Sequence, residues 1–236
     1  MGMPISIHIR GEDAESPAVA RVVEEAFDLL READRLFSTY QQDSEVSRIR
    51  RGELDPAQAD LLVQQVAVAC QRAGELTQGA FTDVLPDDDG VLRFDPTGLV
   101  KGWAADRAAG RLADLPAASF CLNAGGDVVV GGTIGETNGG PGPPWRVGIE
   151  DPRDRSRIAE VVELHHGGVA TSGTAARGAH LYDPATGTFV DRTGSVTVVG
   201  PSLMWADVWA TALFVGPPSL PRRFSEVADG YRVISL

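Results

Sequence analysis

The segment from Ser202 to Gly216 is the strongest constraint on what this chain can fold into. Leu203, Met204, Trp205, Val208, Ala210, Ala212, Leu213, Phe214 and Val215 cover a helix on almost every side, and Gly216-Pro217-Pro218 stops it. A helix with so little polar face belongs in an interior. It is also well short of the roughly 18 apolar residues that a membrane span needs. Asp207 lies inside this run with Thr211 four residues later, so both side chains share one helix face, about 40° apart. A carboxylate in such surroundings needs a partner, because an isolated charge in a low dielectric is costly. Two readings of the pair stand. Either Asp207 accepts hydrogen bonds from a neighbouring loop while Thr211 bonds back to its own helix, or the two oxygens face a hard cation such as Mg2+.

The rest of the chain puts helices first and strands later. Ile5, Ile7 and Ile9 alternate with polar residues over 3–9, which predicts a half-buried strand. Ser16-Pro17 then supplies an N-cap and a proline at the first helical position. Val19, Val22, Val23, Ala26, Phe27, Leu30 and Ala33 follow at helical spacing to about Leu36. A second helix is predicted from about Pro56 to Ala73, with Leu61, Leu62, Val66, Ala69 and Cys70 facing inward, and a third over roughly Lys101 to Leu115. Short β runs follow at 120–122, 127–130, 145–149, 161–164, 168–171 and 195–199, with an edge strand at 231–235. The Gly- and Pro-rich stretch 131–144 reads as a loop or hairpin tip. No repeat and no linker interrupts residues 1–236, so the expectation is one α+β domain with an antiparallel or mixed sheet.

Charge narrows the function classes. The 21 Lys and Arg against 33 Asp and Glu give a formal charge of −12, the wrong sign for a general binder of DNA, RNA or anionic membranes. The two cysteines, Cys70 and Cys121, form no CxxC and no disulfide framework. The first ten residues carry a strand pattern rather than a signal-peptide core, so a cytoplasmic location is expected; the alternative is an exported form whose signal has been removed.

Three further clusters carry polar chemistry. Between Asp95 and Asp106, glycines precede Lys101 near a helix start, where backbone N–H groups, the helix dipole and an ammonium favour an anion. A Gly-rich turn with a solvated lysine explains the same residues. Asn123-Ala124-Gly125-Gly126-Asp127 joins two strand-like runs and is either a ligand-approaching turn or only a connection that needs positive φ. Thr171-Ser172-Gly173 precedes His180-Leu181-Tyr182-Asp183-Pro184-Ala185-Thr186-Gly187, where hydroxyls can bind a polar ligand and His180 can exchange a proton near neutral pH. A Ser-His-Asp hydrolase lacks its G-x-S-x-G elbow here, and the other histidines have no zinc-ligand spacing with cysteine.

Taken in order, these blocks resemble the ApbE family, the FAD:protein FMN transferases. The resemblance begins at Met1-Gly2-Met3 and continues through Phe37-Ser38-Thr39-Tyr40, Ser44-Glu45-Val46-Ser47, Gly79-Ala80-Phe81, Asp95 to Asp106 and Asn123 to Asp127. Thr171 to Gly173, His180 to Gly187 and Ala206-Asp207 with Thr211 complete it over nearly the whole chain. The fold it implies is a compact, T-fold-like α+β domain. The activity it implies is transfer of FMN from FAD to a Thr or Ser side chain of an acceptor protein, releasing AMP.

Carried over position by position, the resemblance implies a Mg2+ site made by Asp207, Thr211 and the backbone carbonyl of Gly98. It implies that Tyr40 contacts the flavin and that Met1, Ala80, Phe81, Asp95, Lys101 and Leu181 line the FAD pocket. His180 and Asp207 are the implied catalytic residues, His180 helping to deprotonate the acceptor hydroxyl. Several positions depart from the family pattern. Gly-Ala-Phe-Asp becomes Gly79-Ala80-Phe81-Thr82-Asp83, so the acid has moved one place or its role has passed to Thr82. Met3 stands where the family carries Thr, Gly98 where Ala is commoner, and the segment between Phe81 and Asp95 is short. The same groups would also serve a Mg2+-dependent FAD pyrophosphatase giving FMN and AMP, or a non-catalytic FAD-binding protein.

Overall fold

The computed structural model describes residues 2–87, 89–132, 142–174 and 181–236. Among the described residues, β1 (Ile5–Arg10), β4 (Ser119–Ala124), β5 (Asp127–Gly132), β8 (Gly167–Gly173), β11 (Ser195–Gly200) and β12 (Arg232–Ser235) form one sheet in the order β1-β4-β5-β8-β11-β12. Every neighbouring pair in it is antiparallel. Strand alternation gives this sheet two apolar faces. Ala170, Val196 and Val198 belong to the main core, whereas Val169, Val199 and Ile234 join Ile149 and Val162 of the β6 (Trp145–Asp151) and β7 (Asp154–Leu164) hairpin on the other side.

The helices cover the first face. α1 (Pro17–Phe37) starts where the sequence predicts, with Ser16 Oγ accepting from the Val19 amide at 3.3 Å. It packs on α4 (Thr97–Leu112), which packs on α5 (Leu203–Val215). α5 lies against β8 and β11, and Leu203, Ala206, Val208, Ala210 and Ala212 have no exposed surface. The all-round apolar helix is thus an inner layer between sheet and helices. α3 (Leu61–Leu76) and α6 (Leu220–Val227) complete the helical side.

Several elements differ from the sequence expectation. The predicted helix from Pro56 divides into a 3-10 turn, Pro56–Gln58, and α3, because Asp60 caps a new start through the Leu62 amide at 2.8 Å. Its buried face is Val63, Val66, Cys70 and Ala73, and Leu61 is 71% exposed. α4 begins at Thr97, four residues before Lys101, so Gly98 lies in its first turn and Lys101 in its second. β7 extends back through the polar run from Asp154, where residues 154–159 are exposed on both faces. α2 (Glu45–Arg50), α6 and the short hairpins β2 (Val84–Pro86) with β3 (Leu92–Phe94) and β9 (Tyr182–Asp183) with β10 (Thr188–Phe189) are further additions. Residues 133–141 of the predicted loop lie outside the described residues.

Candidate active site

A cavity of about 670 Å³ opens where the start of β1, the loop after α1, the first turns of α4, and α5 converge on the sheet. Its lining combines two kinds of chemistry. Phe37, Tyr40, Ala80, Phe81, Leu85 and Leu181 supply apolar and aromatic surface at its wall. Lys101, Asp127, Asp207, Ser172 and Thr211 supply charge and hydroxyls.

The charged part is built from two buried carboxylates around one ammonium. Asp127 and Asp207 are each 3% exposed. Lys101 Nζ lies 3.3 Å from Asp207 Oδ1 and pairs more tightly with Asp127 Oδ2. Burial by itself would lower the lysine's pKa, but Asp207 and Asp127 outweigh it and hold the ammonium above its ordinary value. Two carboxylates against one ammonium leave a net negative charge. Asp127 is also fixed through Oδ1, which accepts from the Thr171 amide at 3.0 Å and so ties the start of β5 to β8. The turn that delivers it needs two glycines: Gly125 and Gly126 have φ of 65° and 106°, and Asn123 Oδ1 accepts from the Gly126 amide at 2.9 Å.

Thr211 stands one turn beyond Asp207 on α5, and its hydroxyl lies 3.0 Å from Ser172 Oγ. Among the described residues no group of three His, Cys, Asp or Glu can hold a metal by itself. What exists is a hard, all-oxygen, anionic donor set: carboxylates and hydroxyls in one cavity, with Gly98 also in its wall. That set fits Mg2+, which takes few protein ligands and completes its shell from water or phosphate oxygens.

The start of α4 is tied down locally. Asp95 Oδ1 accepts from the Thr97 amide at 3.1 Å, and Asp95 Oδ2 pairs with Arg50 on α2 at 3.0 Å. Thr82, not Asp83, lies in the cavity wall, with its Oγ1 accepting from the Val84 amide at 3.1 Å. Asp83 is turned from the cavity; its backbone carbonyl accepts from the Asp95 amide at 2.7 Å, and burial raises its carboxyl pKa. Tyr40 stands at the rim, 92% exposed, on the loop where Ser38 Oγ accepts from the Tyr40 amide.

Of the residues singled out in the sequence, the structure brings Tyr40, Ala80, Phe81, Thr82, Asp95, Gly98, Lys101, Leu181, Asp207 and Thr211 to this one cavity. Met1 and His180 lie outside the described residues. Sequence reasoning put Asp127, Ser172 and Tyr182 in its polar clusters but gave none of them a role in the site. Asp127 carried the clearest signal, an acid opening the apolar run Val128-Val129-Val130 directly after two glycines.

A sequence model described as the ApbE family matches residues 1–85 and 82–234. An FAD:protein FMN transferase from Klebsiella pneumoniae (strain 342) is 31% identical over 169 residues, spanning 66% of this chain and 47% of the relative. One from Vibrio cholerae is 27% identical over 241 residues, spanning 79% and 71%. The chain thus spans about half the length of the Klebsiella relative. Among solved structures, an ApbE protein from Thermotoga maritima superposes with a TM-score of 0.79 at 24% identity, covering 99% of this chain and 91% of that one. The flavin transferase ApbE from Vibrio cholerae gives 0.75 at 25% identity, covering 100% and 94%. With the α+β fold, the cavity and a sequence match that runs almost from end to end, the chain belongs to the ApbE family.

Proposed function

We propose that this protein transfers FMN from FAD to a Thr or Ser side chain of an acceptor protein, with release of AMP and dependence on Mg2+. The observation that carries the reading is that one cavity is lined both by aromatic and apolar side chains and by Lys101, Asp207 and Thr211. A flavin dinucleotide has the same two kinds of chemistry, a flat apolar ring system joined to a charged pyrophosphate. A volume of about 670 Å³ is in the range of small-molecule sites. The relatives' printed name, FAD:protein FMN transferase, supports the same substrate and the same kind of acceptor.

In the proposed reaction the acceptor oxygen forms a bond to the FMN phosphorus, the phosphorus–oxygen bond to the bridging oxygen breaks, and AMP leaves with that oxygen. The acceptor's proton must go to a base, the role the resemblance gives to His180. Mg2+, when bound, would offset negative charge on the pyrophosphate oxygens. Lys101 adds a fixed ammonium in the same cavity, oriented by Asp127. Asp207 and Thr211 are the side chains that would hold the metal, with the Gly98 carbonyl. Tyr40, exposed at the cavity wall, would cover one face of a ring entering from solvent. A cytoplasmic acceptor remains part of the proposal.

Incubation with FAD, Mg2+ and candidate acceptor proteins, followed by intact-mass measurement, tests this. A covalent FMN adduct on an acceptor is the expected result. FMN and AMP without an adduct would make the protein a pyrophosphatase, and bound FAD with neither product would make it a binding protein. Asp207→Ala should abolish Mg2+-dependent turnover in a protein that remains folded by circular dichroism. Unchanged Mg2+ dependence in that variant would remove Asp207 from the metal site.

A further inference from the structure

The two helices that carry the charged part of the cavity lining are clasped together at a point away from it. Asp106 on α4 sends its carboxylate to the start of α5: Oδ1 accepts from the Leu203 amide at 3.0 Å, and Oδ2 accepts from Ser202 Oγ at 2.7 Å and the Met204 amide at 3.0 Å. First-turn amides have no partner within their own helix, so a side chain from another element that takes two of them fixes where the helix begins. The helices are also in close contact one turn back on α4, where a Cβ on Gly102 would stand 2.6 Å from Met204 Cα.

The spacing on both helices links this clasp to the site. Gly98, Gly102 and Asp106 follow at four-residue intervals along one face of α4, as do Leu203, Asp207 and Thr211 along one face of α5. The clasp therefore holds the same two helix faces that carry Gly98, Asp207 and Thr211 to the cavity. Asp207 lies about 6 Å along the axis from Leu203, at 1.5 Å per residue. A shift or tilt where α5 begins moves its carboxylate relative to Lys101 with little loss on the way.

We propose that Asp106 is a positioning residue: by fixing the start of α5 on α4, it sets Asp207 and Thr211 against Lys101 and Gly98. As a claim about catalysis it rests on the function proposed above; as a claim about geometry it does not.

The test compares Asp106→Ala and Ser202→Ala with Leu30→Ala, which opens a cavity in the buried face of α1 and lowers stability while leaving the hydrogen bonds of the clasp in place. In Asp106→Ala, kcat for FAD turnover should fall at least tenfold and the half-saturating Mg2+ concentration rise at least fivefold. Ser202→Ala, which removes one of three donors, should move both in the same direction by less. Leu30→Ala should leave both within twofold although its Tm falls. An Asp106→Ala protein that loses stability like Leu30→Ala but keeps the parental kcat and Mg2+ requirement overturns the proposal, since Asp106 is then a cap and nothing more. Should Asp106→Ala not fold, Asp106→Asn, which keeps one acceptor oxygen, carries the same comparison. If the parent protein turns over no FAD, the proposed function has failed separately. Hydrogen exchange without substrate then decides the geometric claim. Exchange over Asp207 to Thr211 should quicken at least tenfold in Asp106→Ala, or in Asp106→Asn, and not in Leu30→Ala; equal protection in the clasp variant overturns it.

Discussion

Removing the ammonium of Lys101 would leave Asp127 and Asp207 as two buried carboxylates facing one cavity. Breaking a buried pair by deleting one member typically costs about 3–5 kcal/mol, because the remaining charge keeps its desolvation penalty. Lys101→Met should lower unfolding stability by about 3 kcal/mol, measured as a shift in the urea midpoint. Lys101→Met with Asp127→Asn should recover part of the loss, since one carboxylate then remains where two repelled. A single variant within about 0.5 kcal/mol of the parent would show that these charges are already solvated. Cys70 gives a second test at this scale. Burial first, then the Asp83 and Asp95 charges, raise its thiol pKa far above the ordinary range. The folded chain thus holds this proton more tightly than the unfolded one, and this group's contribution to stability falls as pH climbs past the ordinary thiol pKa near 8.5. At pH 8.5 iodoacetamide should label Cys70 at least a hundredfold faster in guanidinium than in buffer; equal rates would show that the α3 face is open. Lys101 and Asp207 were legible in the sequence because a charge in an apolar or Gly-rich setting stands out. Asp127 was not, since Gly-Gly-Asp is also what a plain strand connection needs, and only the pairing of β5 with β8 shows that its side chain turns inward.

At the scale of elements, the crossing of α4 and α5 depends on a residue with no side chain. A methyl group at Gly102 would meet the Met204 Cα at 2.6 Å, the Met204 amide nitrogen at 2.9 Å and the Leu203 carbonyl oxygen at 3.0 Å. All three are backbone atoms, so no rotamer change relieves the clash. Gly102→Ala gains about 1 kcal/mol of helix propensity, and overpacking typically costs about 1–3 kcal/mol. The expected outcome is a net loss of up to about 2 kcal/mol in Tm-derived stability, with a larger proportional loss of turnover because α5 carries Asp207. A more stable and fully active variant would show that the helices are free to separate. The long elements were legible for a related reason: Ser16 opens a periodic run, Ser202 and Gly216 bracket a run that is apolar almost throughout, and α1 and α5 begin where the two serines put them. The elements that escaped prediction are short or owe their form to tertiary packing. α6 buries only Leu220 and Phe224 and has Pro221 in its first turn. β7 begins in a polar, exposed run whose strand form comes from pairing with β6. Leu61 looked inward because it adjoins Leu62, yet Asp60 starts the helix with Leu61 turned to solvent.

For the whole molecule, the net charge of −12 and the proposed dianionic substrate have the same sign. The long-range field would therefore oppose the approach of FAD, and among the described residues lining the cavity the cation is Lys101, beside two carboxylates. Salt shortens the reach of the repulsion, from about 30 Å at 0.01 M to about 8 Å at 0.15 M, but screens a buried lysine much less. The association rate of FAD should therefore rise with ionic strength, by several-fold and less than about tenfold between 0.01 and 0.15 M NaCl at fixed Mg2+. Stopped-flow quenching of flavin fluorescence measures it directly. The dissociation rate should change far less, because the contacts proposed to hold the pyrophosphate are short-ranged and weakly screened. The opposite slope, a rate that falls steeply with salt, would mean that a positive patch at the cavity mouth guides the ligand despite the net charge. Exposed arginines on the outer surface that screen one another's acidic partners, such as Arg31 with Glu24 and Asp28, supply no such patch. In the proposed reading charge composition sets the approach and the ammonium buried beside two carboxylates sets the destination, and the salt dependence of the two rate constants separates them.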